Sequence, residues 1–216
     1  LVSLATRSSH AALLNSHRPE LMCHGVETTD TLKPLLEKAS VVAIGTGLGQ
    51  HTWAKTLLTT TLNTQKTLIV DADALNLLAR QPQQRDNWIL TPHPAEAARL
   101  LNTSTQEVQR DRFAAVTALQ QQYGGVVVLK GNGSLIASNN RIALSNTGNA
   151  GMASGGMGDV LTGTIAALVA QGLDLVQAAE QGVYLHGKAA DDAARHGERG
   201  LIASDLFPYL RMGINE

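Results

Sequence analysis

Four short apolar runs, each closing on a glycine-bearing or polar turn, constrain this chain more than any other feature. Val41-Val42-Ala43-Ile44 runs into Gly45-Thr46-Gly47-Leu48-Gly49, and Thr67-Leu68-Ile69-Val70 into Asp71-Ala72-Asp73-Ala74-Leu75-Asn76. Trp88-Ile89-Leu90 gives way to Thr91-Pro92-His93-Pro94-Ala95-Glu96, and Val126-Val127-Val128-Leu129 to Lys130-Gly131-Asn132-Gly133-Ser134. Short runs with no polar alternation read as strands buried on both faces, the habit of a parallel sheet. Helical patterns fall between them, from about Gln50 to Leu62, a short one to Ala79, and one to Leu101. A single helix is expected from Ser104 to Tyr123, with Ser104 and Glu107 at capping-box spacing. The alternation predicts an α/β fold of three layers, α/β/α, around a mostly parallel central sheet. Ligands then bind beyond the carboxyl ends of the strands, where all four polar turns lie.

The remaining segments are fainter. Leu1 to Ala5 suggests a strand and Ser9 to Leu14 a short helix. Leu135-Ile136-Ala137 and Ile142-Ala143-Leu144 flank Asn139-Asn140, which predicts a β-hairpin. Helices are expected up to about Ala170, from Leu175 to about Arg195, and from Asp205 to Arg211, the last capped by Ser204. The small residues of 175–195 suit close packing, either between subunits of a homo-oligomer or within one subunit.

The densest glycine stretch runs from Gly148 to Gly158, and Asp159 follows it at the start of a helical pattern carrying Leu161, Ile165 and Leu168. Glycines ahead of a helix let several free N–H groups converge on an anion. Asp159 would repel that anion unless it takes a proton from a hydroxyl that attacks a phosphoryl group. The alternative is a flexible loop with an acid stabilising the first helical turn.

Each strand-end motif has a similar pair of readings. Gly45 to Gly49 misses the dinucleotide spacing, since its third glycine comes too early, and either lines a ligand or makes a plain loop. Asp71 and Asp73 can hold a metal through water or bond a ribose, with Asn76 reaching back to the same ligand, or Asp73 can simply cap its helix. His93 sits between two prolines that restrict its backbone, either for contact with a ligand or as a rigid helix start. A zinc site is not expected there, because no second His or Cys lies at ligand spacing. Lys130 to Ser134 can meet a nucleotide phosphate, though it lacks the Walker order, or can simply turn the chain. His186 reads as a packing residue, and Lys188, Asp191 and Asp192 as a solvated helix face.

Bulk properties exclude some classes. A chain of 216 residues is expected to form one domain, residues 1–216. A net charge of -1 and 3% aromatic residues give no footprint for nucleic acid. There is no run of membrane-spanning length. A lone cysteine, Cys23, fits a reducing, cytoplasmic compartment.

Taken in order, Thr-Gly-Leu-Gly at 46–49, Asp-Ala-Asp-Ala-Leu-Asn at 71–76, Thr-Pro-His-Pro-x-Glu at 91–96, Lys-Gly-x-Gly at 130–133 and Gly-Asn-x-Gly-Met-Ala-Ser-Gly-Gly-Met-Gly-Asp at 148–159 resemble the ADP-dependent NAD(P)H-hydrate dehydratase domain. The likeness spans nearly the whole chain. It departs mildly at Thr46, Ala95, Ala150 and Ser134, none of which removes a reactive group. The resemblance implies a ribokinase-like fold and use of ADP, or ATP, with Mg2+ to dehydrate the hydrate of NADH or NADPH. It implies catalytic roles for Asp159, Gly155, Gly156 and Gly158, with the hydrate held by Gly47, His93, Asp73, Asn76 and Asp159. Lys130, Gly131, Asn132, Gly133, Ser134 and Gly158 would hold the nucleotide, and Glu96 is a candidate for the metal. The resemblance also implies that the family's opening strand-helix unit lies outside these residues, and that a fused N-terminal epimerase domain can accompany such a chain. Two other classes remain open, a kinase of a small alcohol or vitamin precursor, and a nucleotide-binding module without turnover.

Overall fold

The computed structural model describes residues 1–139 and 141–215. The chain opens with β1 (Ser3–Thr6), α1 (Ser8–His17), β2 (Met22–Gly25) and α2 (Thr29–Lys38), and β1 and β2 pair in parallel as a small separate sheet. The main sheet begins at β3 (Val41–Ile44) and continues through α3 (Thr52–Leu62), β4 (Thr67–Val70), α4 (Ala72–Leu78), β5 (Trp88–Leu90) and α5 (Pro94–Leu100). Helices α6 (Thr105–Arg110) and α7 (Arg112–Tyr123) lead to β6 (Val126–Leu129) and the hairpin β7 (Ser134–Ser138) and β8 (Arg141–Ser145). Helices α8 (Met157–Ala170), α9 (Leu175–Ala193) and α10 (Leu206–Gly213) close the chain. The hairpin expected from the sequence is present, and its Asn139-Asn140 turn falls partly outside the described residues.

The six strands lie in chain order, β3-β4-β5-β6-β7-β8, with β3 to β6 parallel and the hairpin added antiparallel. Right-handed crossovers that step repeatedly in one direction place all their helices on one face. That face packs Leu68, Val70, Leu90, Val127 and Leu129 against α3, α4, α5 and α7. The alternate side chains Ile69, Ile89, Val126 and Val128 face the other way and would be bare without α8 and α9, which supply Leu161, Ile165, Leu168, Ala178, Ala179 and Val183. Helix α9 is rich in small residues because α8 presses against it, and a Cβ on Gly182 would lie 2.6 Å from Ile165 Cγ1. Packing within the subunit therefore accounts for that small-residue face.

Three expectations need correction. The helix from Ser104 to Tyr123 is two helices, because Asp111 leaves helical geometry (φ −143°, ψ 87°) and caps α7 by accepting from Ala114 N at 2.9 Å. Ser104 does accept from Glu107 N at 3.1 Å, but the Glu107 carboxylate turns to Arg110. Ser204 caps nothing, since a short 3-10 turn, Ala203–Asp205, precedes α10, and Asp205 Oδ2 instead accepts from Ile202 N. Strand β2 and helix α2 lie in segments without a clear sequence pattern. Helix α2 holds through Leu32 and Leu36, one turn apart and buried with Val26 and Leu57.

Candidate active site

The carboxyl ends of β3, β4, β5 and β6 share one edge of the sheet, and β8 returns the chain to the same edge because it pairs antiparallel with β7. The first two turns there are fused through backbone. Gly45 has φ +130°, and a Cβ on it would fall 1.7 Å from the Asp71 carbonyl oxygen, so only glycine fits. Gly47, at φ +64°, would have nothing within 4 Å of an added Cβ and opens onto the crevice. Asp73 does not cap α4. Its carboxylate accepts from Gly49 N at 2.8 Å and Gln50 Nε2 at 3.1 Å, clamping the glycine turn to the start of α4. Ala72 is held at φ +48°, a left-handed conformation that costs a residue with a Cβ roughly 1–2 kcal/mol.

At the centre lies a buried ion pair. Lys130 Nζ is 2.7 Å from Asp71 Oδ1 and 4.0 Å from Glu96 Oε2, and Thr162 on α8 donates to Asp71 Oδ2 at 2.8 Å. Asp71, on sequence grounds one of two acids able to hold a metal through water or bond a ribose, is instead paired with Lys130 and joins β4, β6 and α8. The start of α8 can settle over this pair because residue 158 is glycine, whose Cβ would stand 3.2 Å from Lys130 Nζ and 3.7 Å from Asp71 Oδ2. Asp159 follows at once. Among the described residues its carboxylate has no hydrogen-bond or ion-pair partner, and it stands open to the crevice. Desolvation by the surrounding protein lifts its pKa above the usual carboxylate value, the charge of Asp71 lifts it further, and Lys130 opposes both.

His93 and Glu96 cap α5 for each other. His93 Nδ1 accepts from Ala95 N at 3.1 Å and Glu96 N at 3.4 Å, and Glu96 Oε2 accepts from His93 N at 2.8 Å. With Nδ1 an acceptor, the ring proton belongs on Nε2. Desolvation chiefly lowers the His93 pKa, helped by Lys130 and Arg99 and opposed by Glu96 and Asp71, so the ring is neutral at neutral pH. Glu96 Oε1 lies 3.3 Å from His93 Nε2, so both oxygens of this buried carboxylate are engaged with the histidine. That capping work leaves Glu96 poorly placed for the metal role expected of it. No cluster of three metal-ligating side chains occurs among the described residues.

Two loops complete the edge. In the Lys130 turn, Arg112 of α7 donates to Asn132 O at 2.6 Å and Leu129 O at 3.2 Å, and Lys130 N donates to Pro92 O at 2.9 Å. A Cβ on Gly131 would meet Arg112 Nη2 at 2.9 Å, and Ser134 donates to Gly131 O at 3.3 Å. Arg112 thus braces the turn from a position the sequence pattern gave no reason to notice. In the glycine-dense loop, Asp191 of α9 accepts from Gly148 N at 2.9 Å and from Asn149 Nδ2 at 3.0 Å. Asp191 is therefore an anchor and not part of a solvated face. Gly156, left-handed at φ +86°, begins α8 with no side chain capping its first N–H groups. Gly155 has open space around it. An uncapped helix start carries partial positive charge, here beside Lys130. The structure brings Gly155, Gly156, Gly158, Asp159, Lys130 and His93 to this edge, with Gly47 and Asp73 at its β3–β4 corner. Asn76 is turned outward to Arg99, whose Nη1 donates to Asn76 Oδ1 at 2.9 Å.

Layers, strand order and crevice together define a ribokinase-like α/β protein. A family model described as NAD(P)H-hydrate dehydratase matches residues 1–211, and the chain belongs to that family. It is 56% identical to a bifunctional NAD(P)H-hydrate repair enzyme of Coxiella burnetii over 217 residues, covering 100% of this chain and 44% of that protein. An ADP-dependent (S)-NAD(P)H-hydrate dehydratase of Neisseria meningitidis is 42% identical, with 89% of this chain and 68% of that one covered. The crystal structure of an ADP/ATP-dependent NAD(P)H-hydrate dehydratase from Bacillus subtilis, co-crystallized with ATP and Mg2+, superposes with a TM-score of 0.86 at 29% identity, over 99% of this chain and 78% of that one. The chain spans about half the length of the bifunctional relatives it matches.

Proposed function

We propose that the protein dehydrates the hydrate of NADH or NADPH, using ADP or ATP as phosphoryl donor. The observation that carries this reading is the meeting, around side-chain-free Gly158, of an uncapped helix start, Lys130 and the unpartnered Asp159. Hydration leaves a hydroxyl on C6 of the nicotinamide ring, a poor leaving group. Asp159 takes the hydroxyl proton as the oxygen bonds to the terminal phosphorus of ADP, and the bond from that phosphorus to the bridging oxygen breaks, releasing AMP. The N–H groups of residues 155–158 stabilise charge on the transferring group. The ring nitrogen then expels phosphate, and loss of the neighbouring proton restores the double bond.

Lys130, the braced Gly131-Asn132-Gly133 turn, Ser134 and Gly158 hold the nucleotide. His93 and Gly47 contact the hydrate, and Asp73 orients the wall beside it. Mg2+ ordinarily keeps several waters and binds largely through donor phosphates, so here it would be held by the nucleotide, with Asp73 meeting its water shell and Asp159 left free as the base. When bound it would neutralise charge on the donor phosphates. Residues 1–216 act as one unit in this reading, in the cytoplasm, and the bifunctional names of longer relatives support an epimerase partner domain. The test is incubation of chemically hydrated NADH with the protein and ADP or ATP. The near-ultraviolet absorbance of NADH should rise only when nucleotide is present. A flat trace with both nucleotides would overturn the proposal.

A further inference from the structure

A second cleft, on the outer side of α4 and α5, is used by none of the roles above. It measures about 500 Å³ and is lined by Gln50, Asn76, Arg80, Arg99, Asn102 and Thr103 with two alanines. It holds two guanidinium groups and no carboxylate. Arg80 lies just past the carboxyl end of α4 and Arg99 in the last turn of α5, where an arginine ordinarily answers the helix's own carbonyls. Neither does so. Arg80 Nη2 donates to Gln50 Oε1 at 2.8 Å, and Arg99 Nη1 donates to Asn76 Oδ1 at 2.9 Å. Neutral amides orient these cations without neutralising them, and among the described residues neither arginine forms an ion pair. Most of each donor fork stays open to the cleft.

Gln50 ties the cleft to the wall of the crevice. Gln50 accepts from Arg80 with its carbonyl while its Nε2 donates to Asp73 Oδ1 at 3.1 Å. His93 caps the start of α5 and Arg99 lies near its end, about 9 Å away at 1.5 Å per residue. That distance is within the reach of a dinucleotide extended from its nicotinamide ring.

We propose that Arg80 and Arg99 form the subsite for a phosphate of the dinucleotide, so that the hydrated ring reaches His93 and Asp159 while the anionic tail lies over α4 and α5. Guanidinium forks match phosphate oxygens, and a pair of them held by neutral amides is ready for an anion. This inference rests on the dehydratase reading. The diphosphate bridge and the 2′-phosphate of an NADPH hydrate share the chemistry.

The experiment compares Arg80→Ala, Arg99→Ala, the double variant and the two lysine replacements in the full-length protein, with both hydrates as substrates. Loss of charge-assisted bonds present in ground and transition state alike should raise KM about 10–100-fold in the double variant with kcat held, and lysine should recover part of the loss. A rise with both hydrates assigns the subsite to the diphosphate, and a rise confined to NADPH hydrate assigns it to the 2′-phosphate. Unchanged KM for both hydrates in a double variant that melts like wild type overturns the subsite. If wild type shows no dehydration, the dehydratase reading fails separately. Calorimetric binding of ADP-ribose and of its 2′-phosphate, with ADP saturating, then decides the subsite: weaker binding of either by the double variant supports it, and equal binding of both overturns it.

Discussion

Replacing Asp71 with asparagine should unlock the centre of the crevice, and its two effects can be read independently. The substitution keeps the shape and an acceptor for the Thr162 hydroxyl, but it deletes the charge opposite Lys130. Breaking a buried pair from one side typically costs 3–5 kcal/mol, because the other charge is left uncompensated. The Asp71 side chain is 2% exposed and that of Lys130 18%, so the ammonium keeps some solvent, and Glu96 at 4.0 Å offers a second partner. The expected loss is therefore roughly 2–3 kcal/mol, or about 5–10 °C in the melting midpoint of a chain this size. The second effect falls on Asp159. Asp71 raises its pKa and Lys130 lowers it, so removing Asp71 leaves only the lowering charge. The acid limb of kcat should shift to lower pH. Thermal denaturation followed by circular dichroism measures the first effect, and a pH-rate profile the second. A variant that melts like wild type and keeps the same acid limb would refute the claim that this pair organises the site.

Other perturbations separate catalysis from support. Asp159→Asn should lower turnover about 10²–10⁴-fold with little effect on nucleotide binding, and wild-type kcat should rise with pH through a limb above the ordinary carboxylate value of 3.8, because the base works only when deprotonated. Gly45→Ala places a methyl on the Asp71 carbonyl at φ +130° and should cost at least about 3 kcal/mol by denaturant unfolding. Gly155→Ala, with open space around it, should leave the unfolding midpoint in place and lower kcat, because the methyl intrudes where the N–H groups of residues 155–158 meet the transferring group. Arg112→Ala should also raise nucleotide KM, by freeing the Lys130 turn. His186 is buried, and desolvation lowers its pKa from 6.5 to about 4. The folded state thus binds fewer protons than the unfolded one between those values, so stability should fall as pH drops from 6.5 to 4, by about 3 kcal/mol for this group. His186→Gln should flatten that part of the stability-pH curve.

Much of the sheet and its ligand edge was legible because strands buried on both faces must be apolar throughout, and their polar ends then stand out. Val126 to Leu129 ending at Lys130 is such a case. What escaped depends on partners distant in sequence. Asp71 meets Lys130 across 59 positions and Thr162 across 91, so its central place is set by the sheet and not by any local pattern. Asp191, 43 residues from Gly148, looks like one charge among several on a helix until the loop is seen bonded to it. Arg112 follows the capping residue Asp111, and only the break it opens between α6 and α7 aims the guanidinium at the Lys130 turn. Helix α2 carries Pro34 in its interior, which weakens the local helical signal that burial of Leu32 and Leu36 overrides.

The fate of the transferred phosphoryl group tests the central claim most directly. Phosphorus NMR of a reaction containing hydrated NADH, ADP and wild-type protein should show AMP and free phosphate appearing in equal amounts, matched by NADH, with no lasting phosphate ester. A stable phosphate ester without recovery of NADH would contradict the account and make the protein a kinase of its alcohol substrate.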